Sequence, residues 1–170
     1  MKFGLYTLLI ENHMRKHMID IPGMHFDFGW GNGYVLIPHN HPLYGVNYND
    51  IYDLGRKYSI GLDDSIDVHG GLTFSEYFDV KRFLEWIADR EIVGDVTIEN
   101  YEKFNNYWMI GFDTAHSGDD LVSCSKEMVI NETNNLLEQC LSSSIDGMKK
   151  YKSVYERKDK LKKIAIDKEE

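Results

Sequence analysis

The chain has two cysteines and three prolines in 170 residues, and nothing in it reads as a membrane span. Cys124 and Cys140 cannot build a disulfide framework. The longest apolar stretch near the start, Phe3–Ile10, is far short of the ~18–20 residues a bilayer demands. It carries no small-residue cleavage pattern and is followed by Glu11, so it does not read as a signal peptide. Together these absences predict a cytoplasmic protein. Internal repeats, low-complexity blocks and a second core pattern are also missing. Of the strongly diagnostic motifs, neither His-Glu-x-x-His, Cys-x-x-Cys, a P-loop nor a Gly-x-Ser-x-Gly elbow occurs.

Positive charge is scarce over most of the chain. The net formal charge is −9, yet residues 149–170 carry nine Lys/Arg against five Asp/Glu, a local +4 that leaves −13 on the other 148 residues. An acidic body argues against extended contact with a nucleic-acid backbone, leaving only the basic tail for such a role. A solvated terminal helix is the simpler and favoured reading of the tail.

Hydrophobic residues make up 42% and aromatic residues 13%, which suits one domain with a substantial core. Strands are predicted at the opening Met1–Ile10 stretch, at Tyr34–Ile37, at Ile66–Phe74 and at Tyr107–Phe112, from alternation and from β-branched and aromatic content. Gly31-Asn32-Gly33 reads as a turn. Asp79 or Ser75 can cap a helix running to about Arg90, with Val80, Phe83, Leu84 and Ile87 as its buried stripe. Ser125 can cap a second helix whose stripe is Val129, Thr133, Leu136, Leu137, Cys140 and Leu141. A short helix near Asn49–Tyr58 is a weaker signal. No regular βαβ rhythm is present. The expected fold is α+β: residues 1–147 form a single domain with a small, mainly antiparallel sheet flanked by two or three helices, and residues 148–170 form a charged tail, helical or disordered.

Chemistry-bearing side chains concentrate in two stretches. In the predicted strand Asp67–Ser75, Asp67, His69 and Thr73 share the polar face, with Gly70 and Gly71 between them. In the second stretch Asp113 is followed by His116 and Asp119 at three-residue steps. His39 and His41 stand just past a third strand. If these strands are neighbours, the groups are expected to meet at one edge of the sheet. His69, Asp113, His116 and Asp119 then offer ligands for a divalent metal such as zinc or manganese. Asp67, His69 and His116 suit general acid–base work, since histidine titrates near neutrality and a carboxylate can orient its ring. Glycine admits close backbone approach, so Gly70 and Gly71, with His41, Thr73, Tyr44, Trp108 and Ser117, also make a candidate surface for a small polar ligand. Structural polar networks explain the same residues: turn capping for Asp113, a hydrogen-bonded ring for His69. His13 and His17, four apart, read as surface histidines. Cys124 lies near His116 without the context of a catalytic cysteine, and Cys140 reads as a buried structural thiol.

The combination of Gly33-Tyr34-Val35, His41-Pro42-Leu43-Tyr44-Gly45, His69-Gly70-Gly71-Leu72-Thr73 and Gly111-Phe112-Asp113-Thr114-Ala115-His116-Ser117-Gly118-Asp119 resembles a family of small uncharacterised phage and prophage proteins. The resemblance spans roughly residues 30–141. It implies a mobile-element origin and no particular activity. Thr114 stands where many relatives carry Cys, so no thiol is implied there. The leading expectation is a phage-type accessory protein that binds a small polar ligand, phosphorylated or nucleotide-like, and sequesters a host metabolite or signal. The competing expectations are a metal-dependent hydrolase using the same His/Asp cluster, and a structural or partner-binding protein. The composition leaves an oligomer open.

Overall fold

The computed structural model describes residues 4–12, 28–48 and 66–142. Five strands form one sheet: β1 (Tyr6–Glu11), β2 (Gly31–Ile37), β3 (Phe74–Tyr77), β4 (Ile92–Gly94) and β5 (Trp108–Phe112). Their order across the sheet is β3-β5-β2-β1-β4, and every neighbouring pair is antiparallel. Helix α1 (Val80–Ile87) and a 3-10 turn (Tyr101–Phe104) cover one face, and helix α2 (Lys126–Ser142) covers the other. The α+β class is therefore as expected.

Layers on both faces explain why the central strands read as unbroken apolar runs. Val35, Leu36 and Ile37 of β2 are all fully buried. Val35 and Ile37 join Ile110 and Phe112 of β5 beneath Val129, Leu136 and Cys140 of α2. Tyr34 and Leu36, on the opposite face, join Met109 beneath Phe83 and Ile87 of α1. Helix α2 comes so close to the sheet that a Cβ at Gly33 would stand 2.1 Å from Thr133 Oγ1. The close approach of helix and strand thus keeps Gly33 inside β2, where the sequence reads as a turn.

Both helix caps are as expected. Asp79 Oδ1 accepts from the Arg82 amide at 2.7 Å, and Ser125 Oγ accepts from Met128 at 3.2 Å. Each stripe is narrower than its periodicity suggests, since Leu84 and Leu141 are exposed.

The stretch Asp67–Ser75 departs most from expectation. Strand β3 starts only at Phe74. Residues 66–73 instead run irregularly along α2, turning at His69-Gly70. Gly70 and Gly71 take φ of +66° and +84°, which break the extended conformation. Ile66, Val68 and Leu72 are nonetheless buried against the α2-face core. Gln139 clamps this segment from α2, donating through Nε2 to the Asp67 carbonyl and accepting from the Asp67 amide, both at 2.7 Å. β4 was not expected, because three residues ending in glycine carry little pattern. His13, His17, the 49–58 stretch and the 148–170 tail lie outside the described residues.

Candidate functional site

The turn at residue 69 and the loop after β5 meet beside α2. His69 carries its ring into this corner from a fixed backbone, since its amide donates to Glu132 Oε2 of α2 at 2.9 Å. Its Nε2 lies 2.9 Å from Asp119 Oδ1. The same nitrogen lies 3.6 Å from Cys124 Sγ. The other Asp119 oxygen accepts from the His116 amide at 2.9 Å, which fixes the carboxylate's orientation. Asp119 and Cys124 are buried, and the His69 side chain is 27% exposed. The corner therefore opens to solvent on the His69 side.

Nε2 of His69, a carboxylate oxygen of Asp119 and Sγ of Cys124 all lie within 4.8 Å of one another. Tetrahedral zinc, with bonds of about 2.0–2.3 Å, sets its ligand atoms roughly 3.3–3.8 Å apart. The 3.6 Å from His69 Nε2 to Cys124 Sγ lies within that spacing, and the 2.9 Å to Asp119 Oδ1 falls about 0.4 Å short of it. Burial pushes the Asp119 carboxyl up, but hydrogen bonds from the His116 amide, Cys124 and His69 outweigh it and hold the group below the usual carboxylate range. Burial pushes the Cys124 thiol up, and the neighbouring Asp119 carboxylate adds to this.

The arrangement is not that of a cysteine nucleophile with a His–Asp relay. A relay places nucleophile and carboxylate on opposite ring nitrogens. Here both face Nε2, and the thiol's raised pKa opposes thiolate formation.

Sequence reasoning missed Cys124 as a partner of His69. The signal that could have found it is the short span Asp119–Cys124 between a strand and a capped helix. His116 and Asp113 lie next to the cluster. The His116 ring is centred 5.8 Å from that of His69, with Nε2 3.8 Å from Asp113 Oδ1. That nitrogen is buried without a hydrogen-bond partner, and Gly70 packs directly on it: a Cβ there would stand 2.0 Å away. Asp113 Oδ1 accepts from the Ala115 amide, which is turn capping.

Other expected members do not join this corner. Asp67 is exposed, and its backbone is held by Gln139. Thr73 continues the ladder, its amide donating to the Gly111 carbonyl. Ser117 is exposed. Thr114 is fully buried and donates to the Gly31 carbonyl at 2.9 Å. The convergence of the His39–His41 loop with Asp113–Asp119 is corrected by strand direction. β2 and β5 are antiparallel, so the end of β2 faces the start of β5, with Ile37 opposite Trp108. Trp108 precedes Phe112 by four residues, about 13 Å of strand. Tyr44, Tyr77 and Trp108 cluster at that far end, where Trp108 Nε1 donates to the Val46 carbonyl. His41 is buried there as a strut. Its Nδ1 accepts from the Leu43 amide at 3.1 Å, and its Nε2 faces the Cys140 carbonyl at 3.2 Å. Cys140 lies eight residues beyond Glu132 on α2, about 12 Å along the axis. Burial holds the His41 pKa down.

Fold and site together define an antiparallel α+β protein with a three-donor His/Asp/Cys group beside α2, past the end of β5. Comparison with protein-family models, with curated proteins and with solved structures finds no match. Among the described residues, no helix is long and apolar enough to cross a membrane.

Proposed function

We propose that this chain binds one divalent transition metal through His69 Nε2, Asp119 and Cys124 Sγ, and that it is a metal-dependent hydrolase acting on a small polar substrate. The observation that supports this reading is that three different donor atoms lie within 4.8 Å of one another. A sulfur donor in the set, whose proton the metal would displace on binding, favours zinc over manganese, which prefers oxygen donors. The His116 amide on Asp119 and Glu132 on the His69 amide are the outer contacts that hold such ligands in place. Three protein ligands leave a fourth position for water, which bound zinc activates near neutral pH. A phage-type accessory role, with a phosphorylated or nucleotide-like substrate, is the wider setting we propose for this chemistry.

The cluster supports a second, purely structural reading, because His69 and Asp119 already satisfy each other at 2.9 Å. Metal content separates the two. Protein purified without a polyhistidine tag is expected to carry close to one zinc per chain, and His69→Ala and Cys124→Ser to lose it. Zinc added back at about 100 times Kd stabilises the chelator-stripped wild type by about 2.7 kcal/mol. Wild-type protein that neither retains zinc nor is stabilised by it, with both variants merely less stable, would establish the structural reading instead.

A further inference from the structure

Strand β3 ends the sheet on one side, with β5 as its one partner. In an antiparallel ladder, alternate residues turn their backbone groups towards the partner strand, and the residues between turn theirs away. The Phe78 amide donates to the Tyr107 carbonyl at 2.7 Å, which fixes the phase. Phe74 and Glu76, opposite Gly111 and Met109, share that phase and turn their N–H and C=O towards β5. Ser75 and Tyr77 turn theirs outwards. Among the described residues nothing bonds these outward backbone groups. A sheet edge in this state is a template for a further strand.

The side chains along this edge select what pairs with it. Ser75 and Tyr77 lie on the α2 side. There Ser75 Oγ accepts from the Tyr48 amide, and the Tyr77 ring meets Trp108 and Tyr44 edge-on. Tyr77 is 49% exposed. Glu76 lies on the α1 side and pairs with Arg82. Both side chains of that pair are 47% exposed, so the pair is weak and open to exchange. In an added antiparallel strand, the residue facing Glu76 takes the non-hydrogen-bonded position, where Cα atoms approach to about 4.5 Å. Side chains interact most closely there, opposite charges favourably and like charges unfavourably. A second copy of this chain, paired so that Ser75 faces Tyr77 of the copy, would set Glu76 against the same carboxylate. A cationic residue is the match instead. The −13 carried by residues 1–148 draws a cationic segment in.

We propose that the free edge of β3 binds an extended segment of a partner protein by strand addition, with a Lys or Arg of that segment opposite Glu76. Backbone bonds to Ser75 and Tyr77 supply affinity. The charge at Glu76 and the half-exposed Tyr77 ring supply selectivity. This surface is independent of the metal reading.

Titration of the 15N-labelled full chain with two blocked pentapeptides tests the edge. They are acetyl-Val-Thr-Lys-Thr-Val-amide and its counterpart with Glu in place of Lys. The Lys peptide is expected to shift the Ser75 and Tyr77 amide resonances saturably, at a Kd of about 1 mM, and to slow their hydrogen exchange. The Phe78 amide, already bonded to Tyr107, is the control and is expected to keep its exchange rate. The Glu peptide is expected to bind several-fold more weakly. Glu76→Lys, a change at an exposed position, is expected to reverse that preference. Shifts that stay linear, equal affinity for the two peptides, or an unreversed preference in Glu76→Lys overturn the proposal. Slow exchange at Ser75 and Tyr77 without peptide also overturns it. If that protection grows with protein concentration, a second copy occupies the edge; if it does not, the chain's own residues do.

Discussion

Gly70→Ala is the perturbation that tests how the turn and the His116 ring are packed. Two costs are separable. The first is conformational: Gly70 sits at φ +66°, and an L-residue held there loses about 1–2 kcal/mol. The second is steric: the new Cβ would stand 2.0 Å from His116 Nε2 and 2.4 Å from its Cδ2, so the ring or the turn must move. Overpacking of this kind costs about 1–3 kcal/mol. Gly118→Ala isolates the first cost, because Gly118 also has positive φ, at +96°, but a Cβ there meets nothing within 4 Å. Gly70→Ala is thus expected to lose about 2–5 kcal/mol, and Gly118→Ala only the conformational part. Urea denaturation followed by circular dichroism measures both. The decisive quantity is the coupling in the double variant Gly70→Ala/His116→Ala. Removing the ring is expected to return at least about 1 kcal/mol of the Gly70→Ala loss. A coupling within about 0.5 kcal/mol of zero would refute the packing, because contacting residues do not behave additively.

Two further outcomes follow from contacts elsewhere. Burial lowers the His41 pKa in the folded state, so the unfolded chain takes up this proton first. The stability His41 contributes is therefore present above its unfolded pKa of about 6.5 and is lost as the pH falls from there towards the folded value. The wild-type denaturation midpoint should drop more than that of His41→Gln between about pH 7.5 and about pH 5.5; parallel profiles would contradict the assignment. Gln139→Ala removes both bonds that clamp the Asp67 backbone to α2, with an expected loss of about 1–2 kcal/mol. It should also speed hydrogen exchange at the Asp67 amide, and an unaltered exchange rate would show that the clamp is dispensable.

Local pattern made much of the fold legible. Asp79 and Ser125 announce their helices because a short polar side chain before an apolar stripe satisfies free amides, whatever lies around it. Tyr34–Ile37 and Trp108–Phe112 announce strands by composition. β4 escaped notice because its three residues are held by pairing with β1 rather than by preference of their own.

The candidate site was legible only in part, and the reason is physical. Sequence alone determined the supply of donors: His69 beside two glycines, and Asp113, His116 and Asp119 in one loop. It also determined the α+β class, through caps, periodicity and the absence of a βαβ rhythm. Which donors meet depends on strand order and direction, which no local pattern encodes. The antiparallel pairing of β2 with β5 sent His41 to the far end of the sheet. The positive φ angles at Gly70 and Gly71 ended the expected strand and turned His69 towards Asp119. Folding then brought in Cys124, 55 residues from His69 along the chain, as the third donor. Residue chemistry is carried locally, but convergence is a property of long-range packing, and only the tertiary structure decided it.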